Sequence, residues 1–227
     1  MTYPIILSPT TVSEGKRDQL SMGGKNKKTG ASELLAFSHI CGLGLDDIQE
    51  GVCVTLDGHR YEPDFAYIDK SRGIYIDIEV DEPYTSDHRP THYIEKVGKH
   101  KDMCRNELFC NHGWYVVRFT EQQMFCQTAS CMKAVYELVC KAGGADNLPT
   151  TLTDAPELET ESCWTYDDSI KKSYQNYRRT YLGFDPINMG MSSMIKCLVL
   201  ALPLLRHALI NRRLSKMLTN QLKRYFM

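Results

Sequence analysis

The 227-residue chain lacks several patterns that would assign it quickly to a class of protein. It has nine cysteines but no Cys-x-x-Cys pair, and their odd number argues against both a zinc ribbon and a disulfide framework. It has no excess of charge, because 27 Lys and Arg residues stand against 28 Asp and Glu residues. It also lacks a basic start followed by an apolar run, so we expect no signal peptide, reduced thiols and a cytoplasmic location.

We expect no membrane span, because no apolar run in the sequence is long enough to cross a bilayer. The longest, from Met194 to Leu205, covers about a dozen residues and contains Lys196 and Pro203, whereas a span needs about 20 residues. We expect this run to pack or to mediate oligomerisation, either as a homo-oligomer or with a partner protein. A helix at a membrane surface is the weaker alternative.

Charge is distributed unevenly along the chain. From Met189 to Met227 there are seven Lys or Arg residues and no acid, and residues 14–28 are also rich in Lys. From Gly143 to Ser169 the pattern inverts, with seven acids and no Lys or Arg. Basic ends favour a polyanionic partner such as DNA.

These changes in composition predict four segments. Residues 1–30 form a mobile basic N-terminal arm, and residues 31–142 form the folded core. Residues 143–163 form an acidic linker, and residues 164–227 form a helical C-terminal extension with a basic amphipathic tail.

Hydrophobic periodicity predicts an α/β core. Ser32 can cap the first helix, Gly42 or Gly44 ends it, and Asp57-Gly58 is typical of a hairpin turn. The predicted helices cover about 32–42, 92–111, 121–141 and 164–182, and the predicted strands cover 52–56, 60–68, 74–80 and 114–119. Their order predicts a small mixed central sheet flanked by helices.

The most informative segment is the strand from Ile74 to Asp81, in which apolar and polar residues alternate. One side carries the apolar residues Ile74, Ile76, Ile78 and Val80, and the other carries Tyr75, Asp77, Glu79 and Asp81. Carboxylates on the same side lie roughly 7 Å apart, so they repel and raise one another's pKa unless a cation lies among them. With Asp64 from the preceding strand, this cluster predicts a site for Mg²⁺ or Mn²⁺.

Pro63-Asp64 and Glu79-Val80-Asp81, on adjacent strands, resemble the motif of the PD-(D/E)XK phosphodiesterase superfamily. The chain is most similar to the very-short-patch-repair-like and Tn7-transposase-endonuclease-like branches of that superfamily. Three further features support the resemblance: Glu33 on a helix ahead of the core, Asp102-x-x-Arg105-x-x-x-Phe109 on the next helix, and Gly113-Trp114-x-Val-x-Arg118-Phe119 on the following strand. The resemblance covers about residues 31–140.

The resemblance implies a restriction-endonuclease-like core and a metal-dependent DNA endonuclease that hydrolyses phosphodiester bonds with a metal-activated water. Asp64 and Glu79 would bind Mg²⁺ or Mn²⁺, and Asp81 would bind a second ion or a metal-bound water. Glu33 would orient an outer-shell water. The implied catalytic residues are thus Glu33, Asp64, Glu79 and Asp81, the implied metal ligands are Asp64, Glu79 and Asp81, and the implied DNA-binding residues are Lys99, Lys101 and Arg105.

Asp81 departs from the superfamily, which usually places Lys two residues after the Glu. That Lys would position water and neutralise charge in the transition state. Three readings stay open: a basic group supplied by the next helix, where Lys96, Lys99 and Lys101 are available, Asp81 itself as a metal ligand, or a site that has lost catalysis. The alternative functions are a catalytically inactive nucleic-acid-binding module and an assembly or membrane-surface protein acting through its C-terminal tail.

Four other residues carry narrower expectations. We expect Asp77 to lie one step from the metal, and Arg105 either to contact phosphate or to pair with Asp102. We expect His92 to begin a helix with backbone partners, the alternative being a substrate contact or a proton carrier. Arg118 is expected to face either DNA or solvent.

Overall fold

The computed structural model describes residues 1–10, 19–22, 31–94 and 101–183. The strands are β1 (Thr2–Tyr3), β2 (Ile5–Leu7), β3 (Gln19–Met22), β4 (Ile48–Glu50), β5 (Val52–Leu56), β6 (His59–Tyr61), β7 (Phe65–Asp69), β8 (Ile74–Asp81), β9 (Tyr115–Thr120) and β10 (Glu161–Ser162). The helices are α1 (Ala31–Gly42), α2 (Lys101–Asn111), α3 (Glu121–Cys126), α4 (Thr128–Lys141), α5 (Tyr166–Tyr174) and α6 (Tyr177–Leu182), with a short 3₁₀ turn at Thr150–Leu152.

Five strands form the central sheet, in the order β2-β9-β8-β7-β4. β8 and β9 run parallel, and the other neighbouring pairs run antiparallel. A parallel pair needs a long crossover, and the connection that contains α2 provides it. The predicted mixed sheet with flanking helices is therefore confirmed.

Helices α1, α3 and α4 cover the apolar side of this sheet. Phe37 of α1 stacks on Phe65 with 5.9 Å between ring centroids, and Tyr136 of α4 meets Tyr67 edge-on. Phe65 lies opposite Ile78 in the antiparallel register of β7 and β8, so both share this side. The predicted apolar face of β8 is thus the face that packs against α1, α3 and α4.

Helix α2 and a second sheet, in the order β3-β5-β6, cover the other side. Phe109 of α2 joins Val54 of β5, Ala66 of β7 and Val116 of β9 in one buried apolar cluster. The hairpin between β5 and β6 has positive φ angles at Asp57 and Gly58, as a two-residue type I′ turn requires. The predicted hairpin at this position is confirmed.

Several predicted element boundaries are wrong. The predicted strand 60–68 divides around Pro63 into β6 and β7, which belong to different sheets, since proline cannot donate to a ladder. The predicted helix 121–141 breaks at Gln127, and the predicted helix 164–182 breaks before Asn176, which has left-handed backbone angles. The predicted helix 92–111 is helical only from Lys101 in its described part, and residues 95–100 lie outside the described ranges.

The predicted arm and linker also contribute to the fold. Ile5–Leu7 pairs with β9, and β1 pairs with β10 from the predicted linker. Tyr3 stacks on Trp164, and Leu152 is fully buried. Parts of both segments thus pair with strands of the core or bury side chains in it.

The remaining arm, 11–18 and 23–30, and the tail, 184–227, lie outside the described residues. In the ranges that the structure describes, no helix is long and apolar enough to cross a membrane.

Candidate functional site

Four carboxylates line the side of the central sheet that faces α2. Asp77, Glu79 and Asp81 project from β8, and Asp64 immediately precedes β7; together they are called the acidic row. Their exposed fractions are 3% for Asp64, 0% for Asp77, 8% for Glu79 and 1% for Asp81. The alternation of β8 thus places its acids inside the protein rather than on a solvated surface.

Asp64 and Glu79 lie side by side. The backbone N–H of Asp64 donates to Glu79 Oε1 over 3.3 Å, and the backbone N–H of Val80 donates to Asp64 Oδ2 over 3.0 Å. The antiparallel register of β7 and β8 accounts for this, because it pairs Phe65 with Ile78 and brings the preceding and following residues together. Asp64 and Glu79 therefore meet where β7 begins.

Arg105 reaches the acidic row from α2. Its Nη2 donates to Glu79 Oε1 over 2.8 Å and to Asp77 Oδ1 over 3.1 Å, and its Nη1 lies 2.9 Å from Asp77 Oδ2. Of the two expectations for Arg105, the pair with Asp102 is wrong, since Arg105 contacts strand acids instead. The phosphate contact stays a prediction.

Burial raises the pKa of both Asp77 and Glu79. For Asp77, the charges of Arg105 and Arg118 oppose this effect. For Glu79, the charge of Arg105 also opposes it, but the neighbouring Asp77 and Asp64 add to it. Raised carboxyl pKa values inside a polar cluster are typical of sites that bind a proton or a cation.

Asp81 is held by Arg118. The guanidinium of Arg118 donates from Nε to Asp81 Oδ2 over 2.9 Å and from Nη2 to Oδ1 over 2.6 Å. The hydroxyl of Tyr3 donates to Oδ2 over 2.8 Å, and Asn106 accepts from Arg118 over 3.0 Å. Both oxygens of Asp81 thus have partners, and Arg118 faces neither solvent nor an open groove but lies 1% exposed inside the fold.

His92 joins the same network from the loop after β8. Its Nδ1 lies 2.9 Å from Asp102 Oδ2 and 3.3 Å from Asp81 Oδ1, and its Nε2 lies 4.0 Å from Glu82. Burial alone would lower the pKa of His92, but the charge of Asp81, the hydrogen bond to Asp102 and the charge of Glu82 raise it to about 9. The expectation that backbone groups satisfy His92 is wrong, because its partners are carboxylates.

The remaining predicted residues lie around this core. Glu33 occupies the first turn of α1, on the same side of the helix as Phe37, which packs against Phe65 of β7. Lys101 begins α2 and is exposed, whereas Lys96 and Lys99 lie outside the described residues.

Two residues have a larger role in the site than the sequence predicts. Asp77 is the most buried acid of the row, and Arg118 is the partner of Asp81. The signal for Arg118 was present, because it lies between two apolar residues of a buried strand, Val117 and Phe119. Only the parallel register of β8 and β9, which pairs Arg118 with Glu79, shows that Arg118 lies on the same face of the sheet as the acidic row.

Within the described ranges, no group of three or more His, Cys, Asp or Glu side chains is arranged so that it could hold a metal ion. Comparison with protein-family models, with curated proteins and with solved structures finds no match.

Proposed function

We propose that the protein is a metal-dependent DNA endonuclease with a restriction-endonuclease-like core. The observation that carries this proposal is the meeting of Asp64 and Glu79 at the start of β7, joined through the Asp64 N–H at 3.3 Å. The mixed sheet, with α2 crossing between parallel strands β8 and β9, supports it.

The chemistry of the two carboxylates fits Mg²⁺ or Mn²⁺. Mg²⁺ in phosphate-processing sites is commonly bound by one or two carboxylates, with water and substrate oxygens completing the shell, so a third protein carboxylate is not needed. When bound, such an ion lowers the pKa of a coordinated water and polarises the phosphate. Asp64 and Glu79 would hold the ion at the end of the sheet where β7 begins.

The other residues of the acidic row have supporting roles in this proposal. Asp81 holds Arg118 in place, and binding of a second ion or a metal-bound water by Asp81 stays a prediction. Glu33 orients water from the helix that packs against β7. Lys99 and Lys101 contact DNA phosphates and replace the Lys that is missing after Glu79. A phosphate contact by Arg105 stays a prediction, because its guanidinium is paired with Asp77 and Glu79.

The second candidate function is a nucleic-acid-binding module without catalysis. The contact of Arg105 with both Asp77 and Glu79 favours it, because an arginine bridging two acids also makes a purely structural ion cluster. In that case binding to DNA should weaken steeply with salt and should not change on chelation of divalent ions.

The deciding experiment incubates the purified full-length protein with supercoiled plasmid and Mg²⁺ or Mn²⁺. We expect nicking or linearisation that EDTA abolishes. Asp64→Asn and Glu79→Gln should lower cleavage at least about a hundredfold, since each removes a charged ligand from the proposed ion. Glu137→Gln, an exposed change on α4 across the sheet, is the matched control and should cut normally.

Two results would count against this proposal. One is the absence of cleavage with every metal tested while the protein still binds DNA in EDTA, which supports the binding module. The other is cleavage that survives both Asp64→Asn and Glu79→Gln, which would place the chemistry elsewhere.

A further inference from the structure

Arg105 is shared unevenly between two buried carboxylates. Its Nη2 contacts both Glu79 and Asp77, whereas its Nη1 lies 2.9 Å from Asp77 Oδ2 without the alignment of a hydrogen bond. Nη1 and that oxygen are both fully buried, and neither has another hydrogen-bond partner. The guanidinium therefore does not form the parallel two-bond pair that arginine makes with a single carboxylate.

Two features keep Arg105 in this position. Asp77 has no exposed surface, so its ionised form needs a cation nearby. The guanidinium also lies over the ring of Phe109, one turn along α2, with 4.6 Å between its central carbon and the ring centroid. Asp77 and Phe109 hold Arg105 independently of its contact with Glu79.

We propose that Arg105 is an internal counter-cation that competes with a divalent ion for Glu79, and that Asp77 retains Arg105 when the ion binds. This inference rests on the proposed cation site at Asp64 and Glu79. Arg105 Nη2 occupies Glu79 Oε1, an oxygen that the ion would use, and the charge of the guanidinium repels the ion. A small rotation that gives up the Nη2 contact with Glu79 leaves Oε1 with only the 3.3 Å bond from the Asp64 N–H, and it lets Nη1 align with Asp77.

This arrangement explains why a deeply buried aspartate lies next to the site. Without Asp77, a displaced Arg105 would have no buried acceptor, and the ion would have to drive the guanidinium out to solvent. With Asp77, Arg105 keeps a buried anionic partner before and after ion binding. Arg105 thereby sets the affinity of the site.

The test measures Mn²⁺ binding directly, by electron paramagnetic resonance of free Mn²⁺, with the full-length protein and no DNA. Arg105→Gln should bind Mn²⁺ about tenfold more tightly than the parent, because one positive charge a few ångströms from the ion is removed. Arg105→Lys keeps the charge and should stay within about threefold of the parent. Lys141→Gln removes an exposed charge at the end of α4 and should leave Kd unchanged.

An equal or weaker affinity in Arg105→Gln would overturn the role of Arg105 while leaving the proposed nuclease site intact. Absence of Mn²⁺ binding in both the parent and Arg105→Gln would remove the cation site itself, and both proposals with it. If circular dichroism shows that Arg105→Gln does not fold, the comparison moves to Asp77→Asn with and without Arg105→Gln. The double variant should bind Mn²⁺ more tightly than Asp77→Asn alone, and equal affinities would again overturn the inference.

Discussion

Buried aspartates occur along one face of β8 because arginines from two other elements reach them. Arg105 of α2 forms an ion pair with Asp77, and Arg118 of β9 forms an ion pair with Asp81. A buried pair of this kind contributes little compared with an apolar pair, but removal of one partner leaves a charge without compensation. The acidic row is therefore sensitive to single substitutions whether or not it catalyses a reaction.

Asp81→Asn tests this sensitivity. The change leaves Arg118 buried without its anionic partner, so we expect the free energy of unfolding to fall by about 3 kcal/mol. Urea denaturation followed by circular dichroism measures it. The exposed Asp154→Asn is the matched control, and a loss for Asp81→Asn no larger than that of the control would contradict the structural role of the pair.

His92 gives a prediction about pH. Its pKa is about 9 in the folded protein and about 6.5 in the unfolded chain, so its stabilising effect is complete below about pH 6.5 and is lost as pH rises through about 9. Relative to His92→Asn, the parent should lose on the order of 2 kcal/mol between pH 6 and pH 9.5. Urea denaturation of both proteins at both pH values measures this loss. If the difference in free energy of unfolding between them is the same at pH 6 and pH 9.5, the raised pKa is disproved.

At this scale the sequence predicts which acids share a face but not what neutralises them. Strict alternation from Ile74 to Asp81 suffices to place Asp77, Glu79 and Asp81 together. Their arginines come from 28 and 37 residues further along the chain, and no local pattern encodes that pairing. The partners depend on the register of β8 with β9 and on the rotation of α2, both of which are set by packing.

Among the elements, α3 and α6 are joined by a buried ion pair. Arg178 donates to both oxygens of Glu121, over 2.7 and 2.6 Å, and also donates from Nη1 to the backbone oxygen of Tyr84. The hydroxyl of Tyr181 donates to Glu121 as well. One arginine thus ties the C-terminal helices to the segment that follows β8.

Arg178→Ala should lower the free energy of unfolding by about 3 to 5 kcal/mol, because it leaves Glu121 buried and unpaired by its cation. Arg179→Ala is the control at the next residue, which is exposed, and should change stability by less than about 0.5 kcal/mol. Thermal melts of both variants measure the difference. Equal melting temperatures of the two variants would contradict the stabilising role of the Arg178–Glu121 pair.

Helix breaks show the limit of periodicity at the element scale. Thr120 and Gln123 form a capping box that starts α3, which the Thr-x-x-Gln spacing signals. Nothing comparable marks Gln127, where the backbone leaves helical angles although apolar spacing continues into α4. The tertiary contacts of α3 and α4 favour such a break, and the apolar spacing within one segment does not reveal those contacts.

Across the whole molecule, the C-terminal segment supports the loop that follows the acidic row. The backbone N–H of Ile94 donates to Trp164 O over 2.9 Å, Trp164 Nε1 donates to Thr91 O over 3.0 Å, and Ser169 bonds to Pro83 O. Glu82 and His92 lie on this loop. The predicted helical extension, in its described part, is therefore a support of the site.

A chain ended at residue 142, the predicted limit of the core, should fail to fold cooperatively because it lacks these contacts. Trp164→Ala in the full-length protein removes only part of these contacts, so it should lower the free energy of unfolding by about 3 kcal/mol. Calorimetry of both proteins measures the effect. A sharp, parent-like transition in the shortened chain would show that the core folds without residues 143–227.

Divalent ions should stabilise the whole protein in a pH-dependent way. Burial favours protonated Glu79, so the raised pKa makes its contribution to stability fall as pH rises, and a bound cation offsets this. We expect saturating Mg²⁺ to raise Tm by a few degrees at pH 8.5 and by less at pH 6. Glu79→Gln should abolish the shift, and a shift that is equal at both pH values would separate Mg²⁺ binding from Glu79.

The pairing of β1 with β10 has a consequence for how the protein is made. Ribosomes synthesise residues 2–7 long before residues 115–120 and 161–162, against which those early residues are paired. Strands β1 and β2 therefore stay unpaired until β10 and β9 have been translated, and their pairing is a late step of folding. A nascent chain cannot assemble the finished fold until Trp164 has left the exit tunnel and met Tyr3.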